Sequence, residues 1–269
     1  MSAHTLKGPS DGETVGIIAR APGKGNETEL FSINSTTYFN YKIIIDSGSS
    51  QNFFPRDILN NIYDAILDAW KYDDKAVQII ESILATMVSN AQGYNDDATI
   101  GLLDDVNKNP NNMTELGADF YQIFVEKRLS LPMSSDDADF LNSLVPDIVI
   151  RGLEGGDLVS DGSNLLYEWP LGSGFYMHSI NSNTADSIQL GDPFLVNKTL
   201  TYAVNGKEDG KIGILSDTAD CESSYGEKGF VVEFAAVEPL FQTGVYAANI
   251  TYGGQEFSVQ LDTGSPHLA

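Results

Sequence analysis

The chain has 269 residues, 42% hydrophobic and 20% charged, which is enough apolar content for one large core or two modest ones. Its formal net charge of −23, from 38 Asp and Glu against 15 Lys and Arg, argues against a nucleic-acid partner, because so few cations cannot offset a phosphate backbone. The single cysteine, Cys221, rules out an intramolecular disulfide framework and a thiolate metal cluster. Acidity of this degree suits work at low pH, where carboxylates are protonated and self-repulsion falls, and it equally suits a surface kept acidic for solubility.

Residues 1–28 are polar and rich in glycine, with VGIIAR as a short strand. They contain no apolar core of signal-peptide length, and no run elsewhere reaches the length of a membrane span. Asn-x-Ser/Thr triplets at Asn26, Asn34, Asn112, Asn197 and Asn249 point the other way, to a glycoprotein that is secreted or held in an endomembrane or vacuolar compartment.

ELFSINSTTYFNYKIIID predicts two strands around the polar NSTT, a hairpin that delivers Asp46 to its loop. Ile43, Ile44 and Ile45 form a continuous apolar run, as expected of a strand covered on both faces, and it ends in Asp46-Ser47-Gly48-Ser49. After Phe53 and Phe54, Pro55 opens a helix whose apolar face is Ile58, Leu59, Ile62, Ile66 and Ala69. Residues 71–145 contain two further helical stretches. Asp73 or Asp74 caps one helix with the face Val77, Ile80, Leu84, Met87 and Val88, and TELGADFYQIFVEKRL predicts another.

VPDIVIRGLEGGDLVSDGSNLLYEW then predicts a strand, a Gly-Gly turn and a further strand. SIQLGDPFLVNKTLTYAV and GKIGIL add more strands, and a polar linker spans 216–228. From 229 the chain turns apolar again. Gly253 and Gly254 can supply the positive φ angles of a tight hairpin, and Phe257, Val259 and Leu261 alternate with polar residues into Asp262-Thr263-Gly264-Ser265.

A lone Asp-Ser-Gly is more often a turn or capping aspartate than a catalytic one. Two such loops, each ending an apolar strand, resemble the paired catalytic loops of the pepsin-like aspartic proteases. The LGDPFL run resembles the hydrophobic-hydrophobic-Gly strand that threads behind the catalytic loop in that family, with Leu190 and Gly191 in place and Gln189 where an apolar residue is usual. KIGIL resembles the strand that ends such proteases. The similarity covers roughly 29–62, 146–215 and 229–269.

What the resemblance implies is a mainly β, pepsin-like fold with a helical insertion. Residues 1–215 would form a second-lobe-type domain, and 229–269 the opening strands of a first lobe. The lobe order is inverted relative to the family, the flap and its Tyr have no counterpart, and the expectation is a chain that is incomplete or permuted.

It further implies an aspartic endopeptidase acting on protein or peptide substrates without a cofactor. Asp46 and Asp262 would be the catalytic pair. Gly48 and Gly264 would bend the loops and free amides for the carboxylates. Ser49 and Ser265 would hydrogen-bond the Asp oxygens, and Ser47 and Thr263 would brace one loop against the other. Like charges that close cannot both ionise, so one Asp acts as base on a water while the protonated partner polarises the scissile carbonyl. The alternatives are an inactive pepsin-like binding or inhibitor module and a homodimer through the exposed lobe face, each copy contributing Asp46. His4, His178 and His267 have no zinc spacing, and no Walker, dinucleotide or Gly-x-Ser-x-Gly pattern occurs.

Overall fold

In a computed structural model, the structure describes residues 14–22, 26–34, 42–90, 101, 124, 129–151, 157–183, 187–196, 198–203, 211–216, 246–252 and 254–261. Among these residues the fold is mixed and mostly β, with several sheets and a helical block. The first elements are β1 (Thr14–Arg20), β2 (Glu27–Asn34), β3 (Lys42–Ile45) and β4 (Asn52–Pro55). Two sixteen-residue helices follow, α1 (Arg56–Lys71) and α2 (Asp74–Ser89).

After the short β5 (Leu131–Pro132) come α3 (Ser135–Leu144), β6 (Asp147–Arg151), β7 (Leu158–Ser160) and β8 (Leu166–Glu168). The strands β9 (Phe175–His178), β10 (Ile180–Asn183) and β11 (Ser187–Leu190) lead to α4, the single turn Asp192–Leu195. Two hairpins complete the described chain: β12 (Lys198–Ala203) with β13 (Lys211–Ser216), and β14 (Tyr246–Tyr252) with β15 (Gln255–Leu261). Gly254 turns the second with φ +80°, a conformation that costs a residue without Cβ little.

Among the described residues, the two runs expected to form a hairpin between 29 and 46 do not pair with each other. β2 pairs antiparallel with β1, in a sheet of order β2-β1-β6-β7, whereas β3 belongs to a different sheet of order β10-β4-β11-β3. The two apolar runs therefore serve two sheets, with the chain crossing from one to the other. Along β3, which pairs with β11, Ile43 and Ile45 are buried and Ile44 is half-buried.

The helices form because their apolar spacing gives each a face to bury. Pro55 stands at the N-cap of α1, whose buried residues are Ile58, Leu59, Ile62, Tyr63, Ile66 and Trp70. Tyr63 and Trp70 take the places at the edge of the face where Ala69 was expected. Asp73 caps α2, its carboxylate accepting from the amides of Lys75 and Ala76. The buried face of α2 is Ala76, Ile79, Ile80, Ile83, Leu84 and Met87, rotated from the expected one so that Val77 and Val88 lie at its margin. A helix this apolar offers two adjacent ridges, and contact with α1, α3 and β5 selects between them. The predicted helix over 114–129 falls almost wholly outside the described residues.

One core links the helices to both four-stranded sheets, running from Ile17 on β1 through Ile43, Phe54 and the α1 face to Leu141, Ile148 and Ile188. The buried polar groups of Trp70 and Asn142 are matched within it. The indole of fully buried Trp70 donates to the Leu141 carbonyl at 3.0 Å. Asn142 imitates a strand neighbour, donating to the Leu166 carbonyl at 3.0 Å while its own oxygen accepts from the Leu166 amide at 2.8 Å.

Candidate active site

Asp46 is placed by the strand before it and by a strand 140 residues further on. β11 runs parallel to β3, Leu190 opposite Ile45, and antiparallel to β4 through Gln189 opposite Phe53. It therefore lies between the two strands that flank the Asp46 loop. The Asp46 amide extends the ladder by donating to the Leu190 carbonyl at 2.9 Å. The loop then turns on itself: the Ser49 amide donates to the Asp46 carbonyl at 3.2 Å, and the Gly48 amide to the Asp46 Oδ1 at 3.0 Å. The latter is the free amide that a glycine-bent corner makes available to a carboxylate.

The remaining loop contacts close the corner from behind. The Asp192 amide donates to the Ser49 carbonyl at 2.8 Å, and the Gly191 amide to Asn52 Oδ1 at 2.9 Å. Asn52 is buried and reaches on to Ser160 Oγ. Gly191 is required by space, since a Cβ there would lie well inside contact distance of the carbonyl oxygens of both Ser49 and Gln51. Gln51 ties the loop to the neighbouring strands, donating to the His178 carbonyl and accepting from Asn181.

Ser49 does not do what was expected of it. Its hydroxyl donates to the Gln51 carbonyl at 2.8 Å, bracing the turn rather than the carboxylate. Gln189 supplies the side-chain donor to Asp46 instead, its Nε2 lying 2.6 Å from Asp46 Oδ2. Each oxygen of Asp46 thus accepts a hydrogen bond, one from backbone and one from side chain. Ser47 is buried beside it. Asp262, Thr263, Gly264 and Ser265 lie outside the described residues, as does Cys221.

Asp192 is a site residue that the sequence reading passed over. It is 3% exposed, and neither carboxylate oxygen has a hydrogen-bond partner among the described residues. Burial, and secondly the negative charge of Asp46, push its pKa from 3.8 up to about 7. The available signal was an acidic residue inside the otherwise apolar LGDPFL; for Gln189 it was an amide inside an apolar strand.

Chemically, the corner holds a half-buried carboxylate with fixed donors on both oxygens, backed by a buried carboxyl that keeps its proton in mild acid. Such a group is suited to accept a proton from a bound water. Among the described residues no group of three His, Cys, Asp or Glu side chains is placed to hold a metal ion, and no helix is long and apolar enough to cross a membrane. No family model matches the chain, and no curated protein matches it in sequence.

Proposed function

We propose that the chain has the pepsin-like aspartic protease fold and hydrolyses peptide bonds of protein substrates, Asp46 being one member of a water-activating carboxylate pair and Asp262 the other. The observation that carries this reading is β11 threaded between β3 and β4, with Gly191 pressed against the back of the Asp46 loop. The repeat of an apolar strand ending in Asp-Thr-Gly-Ser at 262–265 supplies the mate. In the mechanism, the ionised Asp of the pair takes a proton from water as that water adds to the scissile carbonyl. The protonated Asp donates to the carbonyl oxygen, and the proton gained by the base then passes to the leaving amine.

The test is cleavage of an unfolded protein at acid pH with pepstatin as inhibitor. Asp46→Asn and Asp262→Asn are each expected to lower the pepstatin-sensitive rate by about a thousandfold. Loss with Asp46→Asn alone would assign the mate to a second copy of the chain, in a homodimer. Absence of pepstatin-sensitive cleavage by the unaltered protein would remove the reading.

The second reading is an inactive binding module. Its specific support is that a protein side chain, Gln189, already occupies Asp46 Oδ2. Partner binding that survives the Asp46→Asn and Asp262→Asn double substitution, without any cleavage to lose, would favour it. We also assign the chain to the secretory or vacuolar route as a glycoprotein, since the Asn26 sequon stands exposed immediately before β2. Protein from a eukaryotic secretory host is expected to lose mass on enzymatic deglycosylation, and an unchanged mass would exclude it.

A further inference from the structure

Three consecutive stations on one segment approach Asp46: the Gln189 side chain at Oδ2, the Leu190 carbonyl at the backbone amide, and Asp192 behind the turn. An amide N–H at 2.6 Å stabilises negative charge on Asp46, while the buried Asp192 keeps its proton in mild acid and sets no charge against it there. Gln189 is half-buried on the face of β11 opposite to that of the buried Ile188 and Leu190, and its amide meets the Asp46 carboxylate there. A buried or half-buried amide is retained at little cost only where its donor is used, and here the donor points at the carboxylate.

We propose that Gln189 is the positioning residue that fixes the Asp46 carboxylate and holds it in the ionised form, so that Asp46 is the base of the pair. The assignment of roles within a pair rests on the protease reading, but the effect of Gln189 on Asp46 does not. Asp192, on α4, is a titratable group that lies behind the Asp46 loop. The next cation along, Lys198 on β12, is turned away to the Phe194 carbonyl at 2.6 Å, with Asp161 and Asp147 as its charged neighbours.

The experiment is a pH titration of the side-chain carboxyl carbons in the full chain labelled with 13C-Asp, the Asp46 signal being identified by its loss in Asp46→Asn. Gln189→Met keeps the length of the side chain and removes the amide, and Gln189→Leu provides a second variant should the first fail to fold. The Asp46 midpoint is expected to rise by about one pH unit in either variant. An Asp46 midpoint unchanged or lowered by loss of the Gln189 amide would overturn the proposal. The low-pH limb of protein cleavage is read in parallel. A raised midpoint in a protein that cleaves nothing upholds the role of Gln189 and removes the protease reading. Cleavage with an unmoved midpoint does the reverse.

Discussion

Gly191→Ala is expected to destabilise the protein by about 3 kcal/mol or more, or to prevent folding altogether, although it adds only one methyl group. Overpacking is usually tolerable where the neighbour is the end of a flexible side chain. At Gly191 the neighbours are backbone carbonyls of Ser49 and Gln51, themselves fixed by the Asp192 amide and by the Ser49 hydroxyl. Relief would require β11 to withdraw from the loop, breaking the Gly191 amide bond to Asn52 and the Asp46 amide bond to Leu190 as it went. Gly16→Ala is the control. A methyl there meets only Ile18 at 3.8 Å and 3.9 Å, ordinary contact, and stability should change by less than about 0.5 kcal/mol. Chemical denaturation of both variants measures the difference; equal stabilities would show that the loop does not depend on that close approach.

Asp192→Asn is expected to stabilise the protein at neutral pH and to do nothing at low pH. The folded state holds the Asp192 pKa at about 7, above the 3.8 of the unfolded chain. Below 3.8 both states carry the proton and no penalty arises. Between 3.8 and 7 the folded state keeps a proton that the unfolded state has released, so stability falls as pH rises, and above 7 the full penalty remains. An asparagine cannot ionise and escapes this loss. The gain at pH 8 should be about 2–4 kcal/mol, reduced by whatever the new amide leaves unpaired. Denaturant midpoints at pH 4 and pH 8 read it directly, and an equal change at the two pH values would show that Asp192 ionises as easily in the fold as outside it. The sign is the one expected of a protein adapted to acid, and it gives the net charge of −23 a local counterpart.

Local features of the fold were legible because their causes are local. The apolar run ending in Asp46, the Pro55 entry to α1, the Asp73 cap on α2 and the Gly254 turn each depend on residues within a few positions of one another. What was not legible depends on distant partners. Nothing near Glu27–Asn34 says that it will pair with β1 rather than with β3, because both partners offer an apolar strand. The face of α2 was ambiguous for the same reason, as Ile79 and Ile83 compete with Val77 and Val88 until α1 and α3 are in place. At the site, the glycine-bent loop could be read directly, but its side-chain donor arrives from Gln189, 143 residues away, and Ser49, the nearer choice, is drawn to Gln51. Asp192 was overlooked because its significance lies in burial against Asp46, which no spacing encodes.

Coupling between the two loop aspartates tests the central claim most directly. With the Asp46 carboxyl followed by 13C titration, Asp262→Asn should move the Asp46 midpoint by more than about one pH unit, because carboxyls that share a proton titrate together. If the Asp46 titration is the same with and without the Asp262 carboxyl, and the protein is a monomer, the two do not form a pair and the proposed chemistry is wrong.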